Sequence, residues 1–456
     1  MSDTIAAVAT GGSVSAIGIV RVSGGGAIAA ADAVFRAASG ARLADAENRR
    51  LYYGELTGAG GGLVDLCLCA VSRGPGSYTG EDTVEFHCHG SPVVLSEALR
   101  SLFSRGVRQA EAGEFTKRAF LNGRMDLTQA EAVIDLIESE TPTAARNAAH
   151  QLQGAIGARL KDVYSALLDI IAHFHAVIDY PDEDIDDFRM QSYLSVLLGA
   201  EEELKRMLST HERGRVLRGG VPTAIIGRPN TGKSSLLNAI LGYERAIVAD
   251  LPGTTRDTIE EKALFGGALL RLIDTAGLRQ THDAVESLGV GRALSALGGA
   301  GLALLVLDGS EPLRDSDFEA LRSIPPSVPR IAVVNKSDLP CALGPDDLAG
   351  LGVGYCRVSA LTGMGLDSLD AGIKKTFPEL GTMPSGEVIT NTRQAEAISR
   401  ALAGLGLAIG AIKASVTPDA VLTDIEAALM AVGEVTGDTM REDVISRVFE
   451  RFCVGK

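Results

Sequence analysis

The sequence contains no tryptophan, and aromatic residues make up only 4% of its 456 positions. A surface that binds single-stranded nucleic acid by stacking bases on aromatic rings would therefore have few side chains to use. Basic residues are also in deficit, since 43 Lys and Arg stand against 58 Asp and Glu, which gives a net charge of -15. This balance disfavours a large phosphate-binding surface, so we expect any RNA contact to be local or shared with a partner protein.

Long apolar runs and paired cysteine motifs are missing as well. The longest uncharged stretches, residues 293–307 and 401–412, are shorter than the roughly 18 apolar residues that suggest a membrane span. The first ten residues have no basic segment before an apolar one, so we expect no secretory signal. The six cysteines show no Cys-x-x-Cys spacing, which fits reduced thiols. We therefore predict a cytoplasmic protein that is not associated with a membrane.

The periodicity of the sequence changes along a chain that is too long for one hydrophobic core. Residues 1–120 alternate short β-type runs with glycine turns, which predicts an α+β domain whose sheet is covered on one side. Helical periodicity in residues 121–216 is interrupted by an α/β segment at 217–379 and resumes in 380–456. We therefore predict a multidomain protein in which two helical segments pack into one all-α domain around an inserted α/β domain.

A phosphate-binding loop is the strongest single motif. Residues 227–235, GRPNTGKSS, follow the apolar run 222–226 and precede a helical segment, which is the strand, loop, helix order that a P-loop requires. Its glycines let backbone N–H groups surround phosphate oxygens. Lys233 is expected at the terminal phosphates and the Ser234 hydroxyl at Mg²⁺. A glycine turn without a ligand is the alternative, but four more nucleotide elements follow in order.

Two of these elements recognise the base. Residues 335–338, NKSD, follow an apolar strand, and the carboxylate of Asp338 can accept hydrogen bonds from both the ring N–H and the amino group of guanine. Adenine has no such pair of donors, so the base is predicted to be guanine. Residues 359–361, SAL, resemble the loop that packs on the guanine face. The sequence therefore predicts a GTPase with the P-loop, Ras-like fold.

The other two elements sense the γ-phosphate. Residues 274–277, DTAG, place a carboxylate near the metal and a glycine N–H near the γ-phosphate, and Thr255 is the predicted second hydroxyl ligand of Mg²⁺ beside Ser234. The predicted GTP-binding residues are Asn230, Thr231, Gly232, Lys233, Ser234, Ser235, Thr254, Thr255, Asp274, Thr275, Ala276, Gly277, Asn335, Lys336, Asp338, Ser359, Ala360 and Leu361.

The glutamine that orients the attacking water in Ras-like enzymes is absent, because Leu278 follows Gly277. Asn230 and residues 248–254 resemble the K⁺-dependent GTPases, in which a monovalent cation replaces an arginine finger and offsets developing charge. A turn or capping role is the alternative for Asn230. The predicted K⁺ ligands are Asn230, Ala249, Leu251 and Thr254.

Two clusters of possible metal-ligating side chains occur in the sequence, but we predict a metal site at neither. His87 and His89 would share one face of a strand, but no second ligand pair has the spacing of a zinc site. Residues 179–187 contain six carboxylates but match no EF-hand, so a solvated acidic loop is predicted there.

Several motifs outside the nucleotide site are distinctive, and they are residues 21–24 (RVSG), 73–82 (RGPGSYTGED), 113–122 (GEFTKRAFLN), 126–132 (DLTQAEA), 179–184 (DYPDED) and the terminal 453–456 (CVGK). Together with the guanine motifs, they make the chain resemble the MnmE/TrmE family of tRNA modification GTPases over essentially its whole length.

The resemblance implies a homodimer, formed through the N-terminal domains, that joins a flavin-dependent partner carrying FAD and NADH in a heterotetramer. Together they would add an aminomethyl or carboxymethylaminomethyl group to C5 of the wobble uridine of certain tRNAs. The one-carbon donor would be 5-formyltetrahydrofolate or methylenetetrahydrofolate, bound by an N-terminal domain similar to folate-binding folds. The implied folate contacts are Arg21, Glu85, Arg124, where relatives are expected to carry lysine, and Lys456.

Catalysis is assigned to Lys233 and Asp274 at the nucleotide and to two residues elsewhere. The resemblance implies that Glu286, in the switch segment, helps to orient the attacking water, and a solvated carboxylate is the alternative. Cys453 could attack pyrimidine carbon six as a thiolate, shape the folate and substrate pocket, or simply pack.

Two rival functions remain open. A ribosome-assembly GTPase would use a similar K⁺-dependent core as a switch without base chemistry, but the KH domain or basic tail that would favour it is not visible. A folate-sensing regulator would bind folate and leave wobble uridines unaltered.

Overall fold

The structure is a computed structural model that describes residues 3–179, 190–243, 261–273, 299–378, 386–450 and 452–455. Its contacts divide the chain into two compact units. The first contains Met1–Ile134, Leu152–Ala200 and Arg400–Lys456, and the second contains Asp135–Gln151 and Glu201–Ser399. The α/β segment thus falls within the second unit, whereas the helical segments contribute to both.

A seven-stranded sheet occupies the N-terminal part of the first unit. The strands are β1 (Ile5–Val8), β2 (Ser15–Ser23), β3 (Phe35–Ala37), β4 (Leu51–Thr57), β5 (Leu63–Ser72), β6 (Thr83–Gly90) and β7 (Arg108–Gln109). Their spatial order is β3-β4-β5-β6-β2-β1-β7, and all neighbours are antiparallel except β1 and β7. The short β-type runs that the sequence predicts within residues 1–120 correspond to strands of this sheet.

One face of this sheet carries the main core. Helices α1 (Ala27–Asp32) and α2 (Pro92–Phe103) cover it, and Phe86 and Leu102 are fully buried there. The other face is open over β4 and β5 but not at β1. There Ile5 and Ala7 pack with Ala110, Tyr78 and Phe115, the last from helix α3 (Glu114–Leu121). The prediction of a sheet covered on one side is therefore wrong at β1, because Phe115 of α3 packs against that strand.

Helices follow in both units before the α/β segment begins. Apolar residues at helical spacing account for them, as in the first of the series, where Leu127, Ala130 and Ile134 are buried on one face. The helices are α4 (Leu127–Ile137), α5 (Pro142–Leu152), α6 (Ala155–Asp179), α7 (Met190–Leu208) and α8 (His211–Gly219).

The second unit is built on a six-stranded sheet with the order β13-β12-β11-β8-β10-β9, in which only β9 and β10 are antiparallel neighbours. Every residue of β11 is buried, as expected for a parallel strand with helices on both faces. The strands are β8 (Val221–Ile226), β9 (Glu261–Phe265), β10 (Ala268–Leu272), β11 (Leu302–Asp308), β12 (Arg330–Asn335) and β13 (Gly354–Arg357). The helices are α9 (Lys233–Tyr243), α10 (Asp315–Ser323), α11 (Pro345–Ala349) and α12 (Leu366–Thr376).

Three described helices close the chain: α13 (Thr392–Lys413), α14 (Pro418–Thr436) and α15 (Glu442–Phe449). Within the first unit α14 packs against α6, and α15 shares a hydrophobic core with α4. Helices from before and after the α/β segment therefore pack together, as the sequence predicts. Among the described helices, α13 is long and apolar enough to cross a membrane by length and composition alone, and 44% of its most apolar window is buried in the protein.

Candidate functional site

The phosphate-binding loop joins β8 to α9, at the place that the sequence predicts. Gly227 and Gly232 have φ angles of 148° and 92°. A Cβ atom would lie 2.3 Å from the carbonyl oxygen of Val306 at the first glycine and 2.2 Å from the side-chain nitrogen of Asn335 at the second. Only glycine fits both positions, so the loop keeps the open backbone that a phosphate group needs.

Side chains of the loop hold it in shape from within. The Thr231 hydroxyl donates to the carbonyl oxygen of Arg228 at 3.1 Å, and the Lys233 ammonium donates to the same oxygen at 2.8 Å. The Arg228 guanidinium, which is 9% exposed, forms ion pairs with Glu311 at 2.7 Å and with Asp317 at 3.3 Å. The sequence motif does not specify Arg228, which anchors the loop to the start of α10.

The residues predicted to recognise the base meet through Asn335. Its side-chain nitrogen donates to the carbonyl oxygen of Thr231 at 2.9 Å, and its side-chain oxygen accepts from the backbone N–H of Ala360 at 3.0 Å. The Ser359 hydroxyl donates to Asp338 at 2.6 Å and so orients the carboxylate predicted to bind guanine. The two predicted motifs and the phosphate loop thus form one connected site.

Lys336 is held by a carboxylate that the sequence motifs do not single out. Its ammonium donates to Asp308 at 2.6 Å, and the Ser310 hydroxyl donates to the same carboxylate at 2.6 Å. Burial raises the pKa of Asp308, but the hydrogen bonds from Lys336 and Ser310 outweigh it, so this pKa lies below its usual range. An aspartate that ends the apolar run of β11 is the signal that could have identified it.

The remaining predicted nucleotide residues lie outside the described part of the chain. Of the predicted metal ligands, the structure describes only Ser234 and Asn230, whose φ of 64° also fits the turn alternative. The predicted residues outside the described ranges are Ala249, Leu251, Thr254, Thr255, Asp274, Thr275, Ala276, Gly277 and Glu286.

In the first unit, Arg21 and Glu85 face each other on neighbouring strands, in register between β2 and β6. The Arg21 Nε atom donates to the Glu85 carboxylate at 2.7 Å. The guanidinium carbon lies 5.2 Å from the ring centre of Tyr78 and 5.7 Å from that of Phe115. Both aromatic residues belong to motifs of the family resemblance, and their rings fix the position of the cation.

Arg124 lies against the loop that carries Tyr78. A Cβ atom on Gly80 of that loop would be 3.3 Å from the Arg124 Cγ atom. The Asn122 side chain also donates to the carbonyl oxygen of Thr79 at 2.7 Å. The loop at residues 73–82 and the end of α3 are therefore packed together, with the Arg124 stem along the loop.

The carboxyl-terminal tail is docked rather than free. Val454 forms a β-bridge with Ala112, and the backbone N–H of Gly113 donates to the carbonyl oxygen of the exposed Cys453 at 3.3 Å. Gly455 has a φ of 101° and lies so close to β1 that a Cβ atom would be 2.0 Å from the Val8 carbonyl oxygen. The residue before Val8 pairs with Arg21, so the tail lies beside the strand pair that holds Arg21. Lys456 lies outside the described residues.

Charged residues of the 113–122 motif have a structural role. Arg118 pairs with Asp3 at 2.7 Å, with Glu81 at 3.1 Å and with Glu114 at 2.8 Å. Hydrogen bonds from Arg108 and Arg118 lower the pKa of Asp3 to about 2, against a smaller effect of burial. This network fastens α3 to the N-terminal segment and to the loop at residues 73–82.

The two histidines for which a metal site was considered lie on β6. His87 and His89 do share one face, but Cys88 is buried on the other. His89 bonds Asp65 at 2.8 Å. No group of three metal-ligating side chains occurs among the described residues.

Two family models match the chain. The one described as GTP-binding protein TrmE N-terminus matches residues 4–124, and the one described as MnmE helical domain matches residues 127–453. The tRNA modification GTPase MnmE of Heliobacterium modesticaldum is 43% identical over 467 residues, and that of Alkaliphilus metalliredigens is 40% identical over 461 residues. Each alignment covers 100% of both chains. Among solved structures, the G domain of the T. maritima FeoB iron transporter is 28% identical, covers 34% of this chain and 96% of that chain, and has a TM-score of 0.26.

Proposed function

We propose a function from the premise that this chain belongs to the MnmE family of tRNA modification GTPases. In this proposal the chain couples K⁺-dependent GTP hydrolysis to modification of the wobble uridine. The product would carry an aminomethyl or carboxymethylaminomethyl group on C5. A tetrahydrofolate derivative would supply one carbon, and a flavin-dependent partner with FAD and NADH would supply the redox chemistry. The observation that carries this proposal is the docking of the Cys453 tail beside the strands that hold Arg21 and Glu85.

The described half of the nucleotide site supports the GTPase part of the proposal. The loop at residues 227–232 is open to phosphate, and Lys233 and Ser234 begin the helix at which a nucleotide phosphate and its Mg²⁺ would bind. Thr255 would complete the Mg²⁺ ligands. Glu286 is proposed to orient the attacking water. Asn230, with Ala249, Leu251 and Thr254, is proposed to hold K⁺ at the phosphates, where the cation offsets charge in the transition state.

The docked tail supports the folate part. Arg21 and Arg124 are cations on the same small region of the first unit, and the tail brings the chain to within one residue of Lys456. Cationic groups of this kind suit the carboxylates of a folate, while the Glu85 carboxylate can accept hydrogen bonds from its ring N–H groups. Cys453 would then lie at the site where the one-carbon unit meets the uridine.

The proposed assembly is a homodimer that joins the flavin-dependent partner in a heterotetramer in the cytoplasm. Light scattering of the purified chain, alone and mixed with the partner, tests both stoichiometries. A chain that stays monomeric and does not bind the partner would contradict this part of the proposal.

The decisive test is the nucleoside composition of tRNA. Mass spectrometry of tRNA from a deletion strain should show loss of the C5 substituent on wobble uridine, and expression of this chain should restore it. An assembly switch or a folate sensor predicts unaltered nucleosides. Intact wobble modification in the deletion strain would therefore reject the proposal in favour of one of those two.

A further inference from the structure

His87 is the polar side chain next to the proposed folate site that has no role so far. Residues of β6 alternate between the core and the outer face, so that Val84, Phe86 and Cys88 are buried in the core while Glu85, His87 and His89 face outward. In the sheet His87 is paired with Ile19 of β2 and Leu68 of β5. His87 is therefore the next outward-facing residue of β6 after Glu85, and its polar ring lies between two aliphatic cross-strand neighbours.

The Nε2 atom of His87 is buried and has no hydrogen-bond partner among the described residues. Its nearest charged neighbour is Glu85, whose Oε2 atom is 3.6 Å away. The other carboxylate oxygen, Oε1, already accepts from Arg21 at 2.7 Å. Oε2 of Glu85 and Nε2 of His87 are therefore adjacent polar atoms. They are close enough for both to contact neighbouring groups on the edge of one ligand ring.

His89 provides a contrast on the same strand and face. Its side chain is 74% exposed, and its Nδ1 atom bonds Asp65 at 2.8 Å. A buried polar atom without a partner destabilises a fold, because it has lost its hydrogen bonds to water and forms none within the protein. That situation holds for His87 and not for His89, so His87 is the one of the two whose surroundings suit a ligand.

We propose that His87 contacts the pteridine ring of the bound folate and selects its 4-oxo form, an inference that rests on the folate site proposed above. In the neutral tautomer with the proton on Nε2, His87 donates to the 4-oxo oxygen. Glu85 Oε2 accepts from the adjacent ring N–H. A 4-amino pteridine presents an amino donor in place of that oxygen and an unprotonated ring nitrogen in place of the N–H, so both the His87 donor and the Glu85 acceptor would face mismatched groups.

The test measures binding to the purified full-length chain by titration calorimetry. The two ligands are 5-formyltetrahydrofolate and its 4-amino counterpart. The natural chain should bind the 4-oxo ligand roughly tenfold or more tightly than the 4-amino ligand, because both His87 and Glu85 face mismatched groups on the latter. His87→Ala should lower the affinity for the 4-oxo ligand by about tenfold and leave the affinity for the 4-amino ligand within about twofold. The discrimination is then reduced but not abolished, because the mismatch at Glu85 remains.

Two further variants separate contact from structure. His87→Gln keeps a side-chain N–H donor and should retain part of the discrimination. His89→Ala removes the same ring from the same face and should leave both affinities unchanged. An equal loss of affinity for both ligands in His87→Ala would mean that His87 only supports Glu85, which would overturn the inference. Unaltered affinities in that variant would also overturn it. A natural chain that binds neither ligand would instead remove the folate site itself, and the inference with it.

Discussion

Gly232 is the position at which the phosphate loop tolerates least change. Its φ of 92° disfavours any side chain, and a Cβ atom would push on the Asn335 amide, which connects the loop to the base-recognition segment. We therefore expect Gly232→Ala to weaken GTP binding by about a hundredfold or more, or roughly 2.7 kcal/mol. Titration with a fluorescent GTP analogue measures this. Gly242→Ala, in α9 with open space around its Cα, is the matched control and should keep the natural affinity.

Asp338 should determine the choice of base. Its carboxylate, oriented by the Ser359 hydroxyl, can accept two N–H groups of guanine, whereas asparagine offers one donor and one acceptor. Xanthine has an oxygen where guanine has its amino group. Asp338→Asn should therefore lower GTP affinity by about tenfold or more and raise affinity for xanthosine triphosphate. Competition binding with the two nucleotides checks this, and Asp346→Asn on the exposed start of α11 is the control. An unaltered preference for GTP would move base recognition elsewhere.

Asn230 should carry the monovalent-ion dependence of hydrolysis. Replacing K⁺ by Na⁺ is expected to lower the GTPase rate by roughly tenfold or more, over about 1.4 kcal/mol of barrier. The proposed ligands hold the larger K⁺ ion, and with it the missing positive charge, at the phosphates, and we do not expect the smaller Na⁺ ion to fit them in the same way. Asn230→Ala should abolish this preference while sparing most of the nucleotide affinity. Rates are compared at saturating GTP in the two chlorides. Equal rates for the natural chain in both salts would remove the cation from the mechanism.

Single residues show how far the sequence alone can be interpreted. The glycines of the P-loop, Asn335 and Asp338 were predictable because their motif spacing encodes a local backbone geometry. Arg228 was not, because it acts through a partner that is distant in sequence, Glu311. Asp308 was missed although its position at the end of an apolar run was visible, because only the fold brings Lys336 to it. Tyr78 and Phe115 lay inside recognised motifs, yet only the fold brings their rings to Arg21.

At the scale of elements, the docked tail leads to a prediction about Cys453. The tail is fastened to Ala112 and β1 in the first unit, whereas the phosphate loop belongs to the second. Cys453→Ser keeps size and polarity but loses most nucleophilicity. We expect it to abolish or severely reduce wobble-uridine modification while GTP hydrolysis stays near normal. Nucleoside mass spectrometry and phosphate release measure the two activities.

The matched control is Cys341→Ser, which alters the other exposed cysteine among the described residues. It should leave both activities unchanged. Normal tRNA modification in Cys453→Ser would make Cys453 structural, and a collapse of hydrolysis would show that the two activities are not separable in this way.

The regular elements themselves were largely predictable, since hydrophobic periodicity reports local burial. The apolar run at 222–226 and the apolar strand before residue 335 correspond to β8 and β12, and the helical periodicity of residues 380–456 corresponds to α13, α14 and α15. The return of α3 over β1 was not predictable, because it depends on ion pairs of Arg118 with residues more than thirty positions away.

The whole molecule differs from the simple sum of predicted domains. The short segment after the α/β domain is tied to residues before it within the second unit: Asp135 accepts from the Thr390 hydroxyl at 2.9 Å, and Gln151 donates to the Val388 carbonyl oxygen at 2.5 Å. Such pairings join positions more than 200 residues apart, which no local pattern encodes. The domain boundaries drawn from the sequence at 216 and 379 therefore remain predictions, and the contact-based units cut through the helical segments instead.

The overall charge leads to a prediction about tRNA. A chain with a net charge of -15 repels a polyanion except where basic groups are concentrated. Each phosphate neutralised by a basic side chain steepens the fall of log affinity with log salt by about 0.7 to 0.9. We expect the chain alone to bind tRNA weakly, with a slope shallower than about -3, and the complex with the proposed flavin-dependent partner to show a steeper slope. Fluorescence anisotropy of labelled tRNA across a NaCl series measures both. If the chain alone gave a slope of about -6 or steeper, it would contain an extended phosphate-binding surface despite its composition, and the partner would not be needed to supply one.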